Sequence, residues 1–204
     1  MYEFTPEHIS NKMKKEGYVV LARKTFLNEK NNNLEFLLYK RFDWMNHYIK
    51  KGFRVIYLGS GAGLIEFFIK EKILLTDIKK QEFIHKKINA LNIDLPNNSV
   101  DVFICSHMIH HISHPVKFLK SLERKLVDGG LILIQDKKLF EKKVPLKILK
   151  NSLNQFLLLP LSGGVIAKSK TIELPIFVSK LIDTLNKAMI YFFPKLFAFG
   201  RSVV

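Results

Sequence analysis

The strongest constraint in this chain is the stretch Phe53–Asp77, FRVIYLGSGAGLIEFFIKEKILLTD. Val55, Ile56 and Leu58 form a short apolar run that stops at Gly59-Ser60-Gly61-Ala62-Gly63. Leu64–Ile69 follows at helical spacing, and Ile73-Leu74-Leu75 then runs into Asp77. The pattern predicts strand, glycine turn, helix and strand, with a carboxylate at the tip of the second strand. Glycines let the backbone turn sharply and let a ligand approach with no Cβ in the way. A helix behind such a turn aims its free N–H groups and positive dipole end at the ligand. Asp77 lies 18 residues beyond Gly59, where a carboxylate can accept the two hydroxyls of a ribose. The stretch therefore predicts a nucleoside cofactor site.

The flanking chain supports an α/β domain. Leu34, Leu37, Leu38, Phe42, Met45 and Ile49 recur at helical spacing, with Gly52 as a stop. Upstream, Pro6–Lys15 reads as a short helix, Tyr18–Leu21 as a strand-like patch and Asn28–Asn33 as a polar loop. Ile78–His85 reads as a weak helical connection. Asp101–Ser106 is a buried strand, Pro115–Leu126 an amphipathic helix with Val116, Leu119, Leu122 and Leu126 on one face. Asp128-Gly129-Gly130 turns the chain into a further strand, Leu131–Gln135. Strands alternating with helices imply parallel pairing covered on both faces. Ile176–Phe193 is a helix with Phe177, Leu181, Ile182, Leu185, Met189 and Phe192 along one side and Lys180, Asp183 and Lys187 opposite. Arg201–Val204 is a closing strand.

Composition narrows the classes. The single cysteine, Cys105, excludes a disulfide framework, and its apolar surroundings make it a core residue rather than a nucleophile. Met1–Lys15 carries no signal pattern, and no apolar run reaches the roughly 18 residues that span a bilayer. A soluble, cytoplasmic protein is the expectation. The net charge of +15 invites nucleic acid or anionic lipid, and residues 137–204 carry +9 of it, from twelve Lys and Arg against three Asp and Glu. Yet lysines number 28 and arginines five, and arginine is the residue that supplies bidentate phosphate and guanine contacts. Nucleic acid is not the favoured partner.

In order, four landmarks resemble the class I S-adenosylmethionine-dependent methyltransferases: the GSGAG loop at Gly59–Gly63, Asp77, LPNNSVDVFICSHMIHHI at Leu95–Ile112, and LVDGGLILIQD at Leu126–Asp136. The tail, Phe156–Lys168 and Phe197–Val204, is also similar to the end of some members. The rival dinucleotide fingerprint, Gly-x-Gly-x-x-Gly, needs glycine at position 64, which is Leu64. The resemblance implies a Rossmann-like, doubly wound, mostly parallel sheet with helices on both faces, shortened after the fifth strand. It implies three parts: residues 1–52, an N-terminal helical segment packed on the core; 53–136, the cofactor-binding core; and 137–204, a basic segment completing the sheet and covering the substrate side.

The resemblance also assigns roles. Gly59, Ser60 and Gly61 pass beneath the methionine part of S-adenosyl-L-methionine, Gly63 completes the loop, and Asp77 holds the ribose. Asn89-Ala90 faces adenine, where the family has Asp-Ala or a similar pair. Ser106 and His107 follow the fourth strand beside the transferred methyl group. Tyr57 departs from the pattern, standing where the family has Asp or Glu to hold the cofactor's ammonium. Only about ten residues separate the fifth strand from the next, fewer than a parallel crossover needs. A methyl acceptor that carries a proton needs a base, for which His107 and His110 are the candidates. His107, His110 and His111 can share one face of a helical turn, but no Cys, Asp or Glu nearby in sequence completes a ligand set, so no metal is assigned. A small-molecule acceptor is favoured over RNA or protein, with a cofactor-binding relative that has lost catalysis as the alternative. The apolar face of Ile176–Phe193 is expected to pack inward, leaving at most transient contact with a membrane surface.

Overall fold

The computed structural model describes residues 19–28, 32–137, 147–154, 174–193 and 200–204. Residues 19–28 form α1, and Asn32–Phe42 form α2, which passes into a 3-10 turn at Asp43–His47. The strands are β1 (Val55–Leu58), β2 (Ile73–Asp77), β3 (Lys86–Lys87), β4 (Val100–Ser106), β5 (Leu126–Lys137), β6 (Asn151–Asn154) and β7 (Gly200–Val203). Between them lie α3 (Pro115–Glu123) and α4 (Ile176–Phe192).

Among the described residues the strands make one seven-stranded sheet in the order β3-β2-β1-β4-β5-β7-β6. The first five are parallel to their neighbours, and β7 runs antiparallel to both β5 and β6. The near-continuous apolar runs in β1 and β4 follow from burial on both faces. On one face Val55, Tyr57, Leu75, Ile104 and Leu133 pack with Leu34, Leu38 and Phe42 of α2. On the other, Ile56, Leu58, Phe103 and Cys105 pack with Phe118, Leu119 and Leu122 of α3. Each such side chain contributes on the order of 1.5–3 kcal/mol when fully buried. Burial pushes the Cys105 thiol up, consistent with a core residue.

The structure corrects several expectations. The segment after the glycine loop is a single 3-10 turn, Leu64–Phe67, not an α-helix. Only nine residues lie between Gly63 and β2, too few for a full helix and a return loop, so the helix dipole invoked for the ligand is largely lost. Residues 19–21, expected as a strand-like patch, lie within α1, and Asn32 and Asn33 open α2 rather than a loop. Residues 78–85 form turns without a helix. Pairing of β5 begins before the Gly-Gly turn: Leu126 faces Val100 and Leu131 faces Val102, so residues 127–130 bulge out of the strand, with Gly129 at φ +75°. The helix expected over Pro6–Lys15 and the tail match at Phe156–Lys168 lie outside the described residues.

The largest correction concerns α4. Its buried residues are Ser179, Asp183, Asn186 and Ile190, whereas Phe177, Leu181 and Leu185 are 69%, 58% and 52% exposed. The polar stripe faces the domain and the apolar stripe faces away. The reason lies in what the helix packs against: the Leu174 N–H donates to Asn33 Oδ1 at 2.9 Å, and Lys40 Nζ of α2 lies 3.1 Å from Asp183 Oδ2.

Candidate active site

The glycine loop sits at the carboxyl end of β1 with Gly59, Gly61 and Gly63 all at positive φ, 66°, 54° and 66°, a region L side chains avoid. A Cβ on Gly59 would come within 2.9 Å of Met108 Cγ, while one on Gly61 would meet open space. Gly61 is thus the point where the loop offers bare backbone. Ser60 is spent internally: its hydroxyl donates to the Tyr57 carbonyl at 3.0 Å and accepts from the Thr76 N–H at 3.0 Å. Thr76, fully buried, donates its own hydroxyl to the same carbonyl at 2.8 Å. These bonds staple the tips of β1 and β2 together. Behind the loop, Arg23 of α1 donates to the Ala62 carbonyl at 3.1 Å, pairs with Glu66 and lies over the Phe67 and Phe83 rings. Nothing in the sequence linked α1 to the loop.

Asp77 ends β2 beside the glycines. Its Oδ2 accepts from the Gly61 N–H at 3.1 Å and its Oδ1 from Ile78 at 2.7 Å. The Lys79 N–H also donates to Oδ1, at 3.4 Å, so the carboxylate is held in place from the backbone on both sides. The Ile88 N–H donates to the Asp77 carbonyl at 2.9 Å, which brings Asn89 and Ala90 alongside. Asn89 is exposed and its Oδ1 accepts from the Leu91 N–H at 2.9 Å, closing an Asx turn; Ala90 packs into the core.

Tyr57 projects from β1 onto the α2 face with its hydroxyl bonded to Ser106, and burial pushes the phenol up to about 12. It is therefore neutral at physiological pH. Close by lies Arg41 of α2, which sequence reasoning missed because it stands in a helix whose visible signal was apolar. Burial pulls its guanidinium down to about 10, with the Tyr57 phenol acting in the other direction, and Arg41 Nε has no hydrogen-bond partner. Among the described residues no anion offsets this buried cation, which is costly, and the arrangement suits an incoming carboxylate.

After β4 the chain makes the turn that carries the histidines. His107 takes φ +51° while its N–H donates to the Gln135 carbonyl at 2.7 Å, a non-glycine residue held in the left-handed region. His110 Nδ1 contacts Asp136 Oδ1. Asp136, at the end of β5 and 2% exposed, also accepts from the Ile109 N–H at 2.8 Å and the His110 N–H at 3.2 Å. One carboxylate thus fixes both the backbone and the ring of His110. An acid at the tip of β5, as Asp77 is at the tip of β2, was the signal that could have found it. The His107 and His110 rings stand 6.5 Å apart and nearly perpendicular. Among the described residues no group of three or more His, Cys, Asp or Glu is placed to hold a metal ion. An open cleft of about 810 Å³ lies elsewhere, among Arg54, Lys72 and Ser99 at the amino ends of β1, β2 and β4, so it is separate from this site.

The residues at the carboxyl ends of β1 and β2, with Arg41 of α2 near Tyr57, are chemically suited to S-adenosylmethionine: bare backbone at Gly61, a carboxylate in Asp77 and a buried guanidinium in Arg41. Residues 58–134 match a family model described as a methyltransferase domain. Over that stretch the chain is similar to methyltransferase domains. A solved S-adenosylmethionine-dependent methyltransferase from Archaeoglobus fulgidus is 16% identical with a TM-score of 0.50, aligned over 82% of this chain and 92% of that one, which shows the fold. Another from Aquifex aeolicus is 24% identical with a TM-score of 0.39, over 54% of this chain and 66% of that one. The chain spans about half to two thirds of the length of that protein and two other solved neighbours (48–66%). No protein of curated function matches it.

Proposed function

We propose that the chain is a methyltransferase that binds S-adenosylmethionine and methylates a small molecule whose accepting atom carries a proton. The observation that supports this best is the placement of two constellations at one end of the sheet. The glycine loop with Asp77 forms the first and the His110–Asp136 pair the second.

When bound, S-adenosylmethionine supplies an electrophilic methyl group on a sulfonium sulfur. The chain's own residues bind and orient. Asp77 takes the ribose hydroxyls, and the Asn89 side chain offers an amide towards the base. Arg41 takes the carboxylate of the methionine part, which makes sense of Tyr57: a site with a phenol in place of an acid keeps an unneutralised guanidinium, and the charge it lacks is negative. With Asp136 accepting from Nδ1–H, the His110 tautomer leaves a lone pair on Nε2 to take the acceptor's proton, and the resulting imidazolium is stabilised by the buried carboxylate. His107, strained on the same turn, helps shape the acceptor's entry. The small-molecule reading rests on the scarcity of arginine for a polymer of phosphates.

Titration calorimetry of the purified chain tests the reading. S-adenosylmethionine or its demethylated product should bind and NAD should not; NAD binding without a response to either sulfur nucleoside sinks it. Binding with no turnover across an acceptor panel would make the chain a cofactor-binding relative without catalysis.

A further inference from the structure

We propose that the outward face of α4 is a docking surface for an anionic lipid bilayer, on which the helix lies flat. Successive α-helical residues are turned about 100° from one another. Ser179, Asp183, Asn186 and Ile190, the buried set, therefore share one side. Phe177, Leu181, Leu185 and Phe192 share the diametrically opposite side, at 69%, 58%, 52% and 69% exposure. Tyr191, at the edge of this side near the carboxyl end, is 80% exposed. No charged side chain interrupts the stripe. An apolar face of this extent on a helix surface marks an interaction site rather than scattered exposure.

Charge selects the occupant. The chain carries +15 and its last third, in which α4 lies, carries +9. Lys180 stands on one flank of the stripe, exposed, with a stem long enough to keep its ammonium group among headgroups while the stripe sinks beneath it. A second copy of the chain presenting the same face would bring +15 against +15, which opposes pairing, whereas an anionic bilayer attracts that charge and takes up the apolar side chains together. The geometry fits lying on the surface and not crossing it. Asn33, through the Leu174 N–H, and Lys40, through Asp183, tie the polar side of α4 to α2 along its length, and no helix among the described residues is long and apolar enough to cross a membrane.

Flotation of the full chain with vesicles tests this. Vesicles of phosphatidylcholine mixed with phosphatidylglycerol should carry the chain up the gradient, and part of that binding should survive high salt because it is apolar; phosphatidylcholine alone should carry much less. The double variant Leu181→Glu, Leu185→Glu should lose binding roughly tenfold or more with its circular dichroism unchanged, since both positions face away from the domain. Three results overturn the proposal: no flotation with the anionic vesicles, flotation unchanged in the double variant, or a dimer on gel filtration that the double variant dissolves while lipid binding is absent. Cofactor binding, measured separately by calorimetry, does not enter any of these outcomes.

Discussion

In α3, the apolar positions Phe118, Leu119 and Leu122 are all fully buried against the sheet. In α4, an equally clear apolar stripe, Phe177, Leu181 and Leu185, is half exposed or more, while Ser179, Asp183 and Asn186 are buried. Both helices are amphipathic; they differ in what their neighbours offer. The residues of β4 and β5 beneath α3 are Phe103, Cys105, Ile132 and Ile134, which only an apolar face can match. Beside α4 stand Asn33 and Lys40 of α2, which need polar partners. Periodicity tells that a helix has two faces. The element already in place decides which of them turns inward.

The contrast is sharpest in stability. Phe118→Ala should cost about 3–5 kcal/mol, the loss expected for a fully buried aromatic side chain, whereas Leu185→Ala should stay within about 0.5 kcal/mol. Urea unfolding of the two variants measures both. A Leu185→Ala cost comparable to that of Phe118→Ala would mean the stripe is covered, and the bilayer proposal would fall with it.

Next in size is the proposed cofactor site. Asp77→Ala should weaken S-adenosylmethionine binding by about 1.5–3 kcal/mol, since it deletes a charged hydrogen-bond acceptor, with little change in the unfolding midpoint. Unchanged affinity would remove Asp77 from the ribose role.

Arg41 separates stability from binding. Its guanidinium is pulled down from its ordinary value to about 10 by burial. A base with a depressed folded-state pKa carries its charge at a penalty at every pH below that value, and the penalty lifts only as pH rises through it. Arg41→Met should therefore stabilise the free chain at neutral pH, by about 1–3 kcal/mol, and at the same time weaken cofactor binding. Thermal melts with and without S-adenosylmethionine read both signs together. A variant that is more stable and binds just as well would assign the carboxylate to another group.

How far the sequence carried the fold follows from the same contrast. The strands at Val55–Leu58 and Val100–Ser106 were legible because buried parallel strands must be apolar throughout, and Asp77 because its distance from Gly59 is set by one short crossover. The 3-10 turn at Leu64–Phe67 was not, because Leu64, Ile65 and Ile69 suit a helix and only the shortness of the crossover forbids it. Arg41 and Asp136 stayed hidden for a different reason. Each acts through a long-range neighbour, Tyr57 in one case and His110 in the other; Asp136 at a strand tip was a visible signal, but no local pattern pairs it with His110. For α4 the two faces were visible and their directions were inverted, since Asn33 and Lys40 lie more than 130 residues away in sequence.

The smallest expected effects come from two ion pairs, one in each region. At the start of the core, Arg54 Nε donates to Asp101 Oδ2 at 2.7 Å, and that hydrogen bond holds the Asp101 carboxyl below the usual carboxylate range. On α4, Lys187 Nζ lies 3.0 Å from Asp183 Oδ2, and that hydrogen bond holds the lysine above its usual range. Their linkage signs are opposite. A carboxyl depressed in the folded state adds stability above its unfolded pKa of about 4, and the gain is lost as pH falls through the folded value. A lysine raised in the folded state adds stability below its unfolded pKa of about 10, and the gain is lost as pH rises through the folded value. Arg54→Met should thus shrink the drop in stability on the acid side only, and Lys187→Met the drop on the alkaline side only. Both pairs are exposed on their basic partner, so both differences should fade in high salt. Melting curves across pH for the two variants decide it. If Lys187→Met altered the acid limb instead, α4 would not be held to the domain by Asp183 as the structure shows, and the inverted face would lose its anchor.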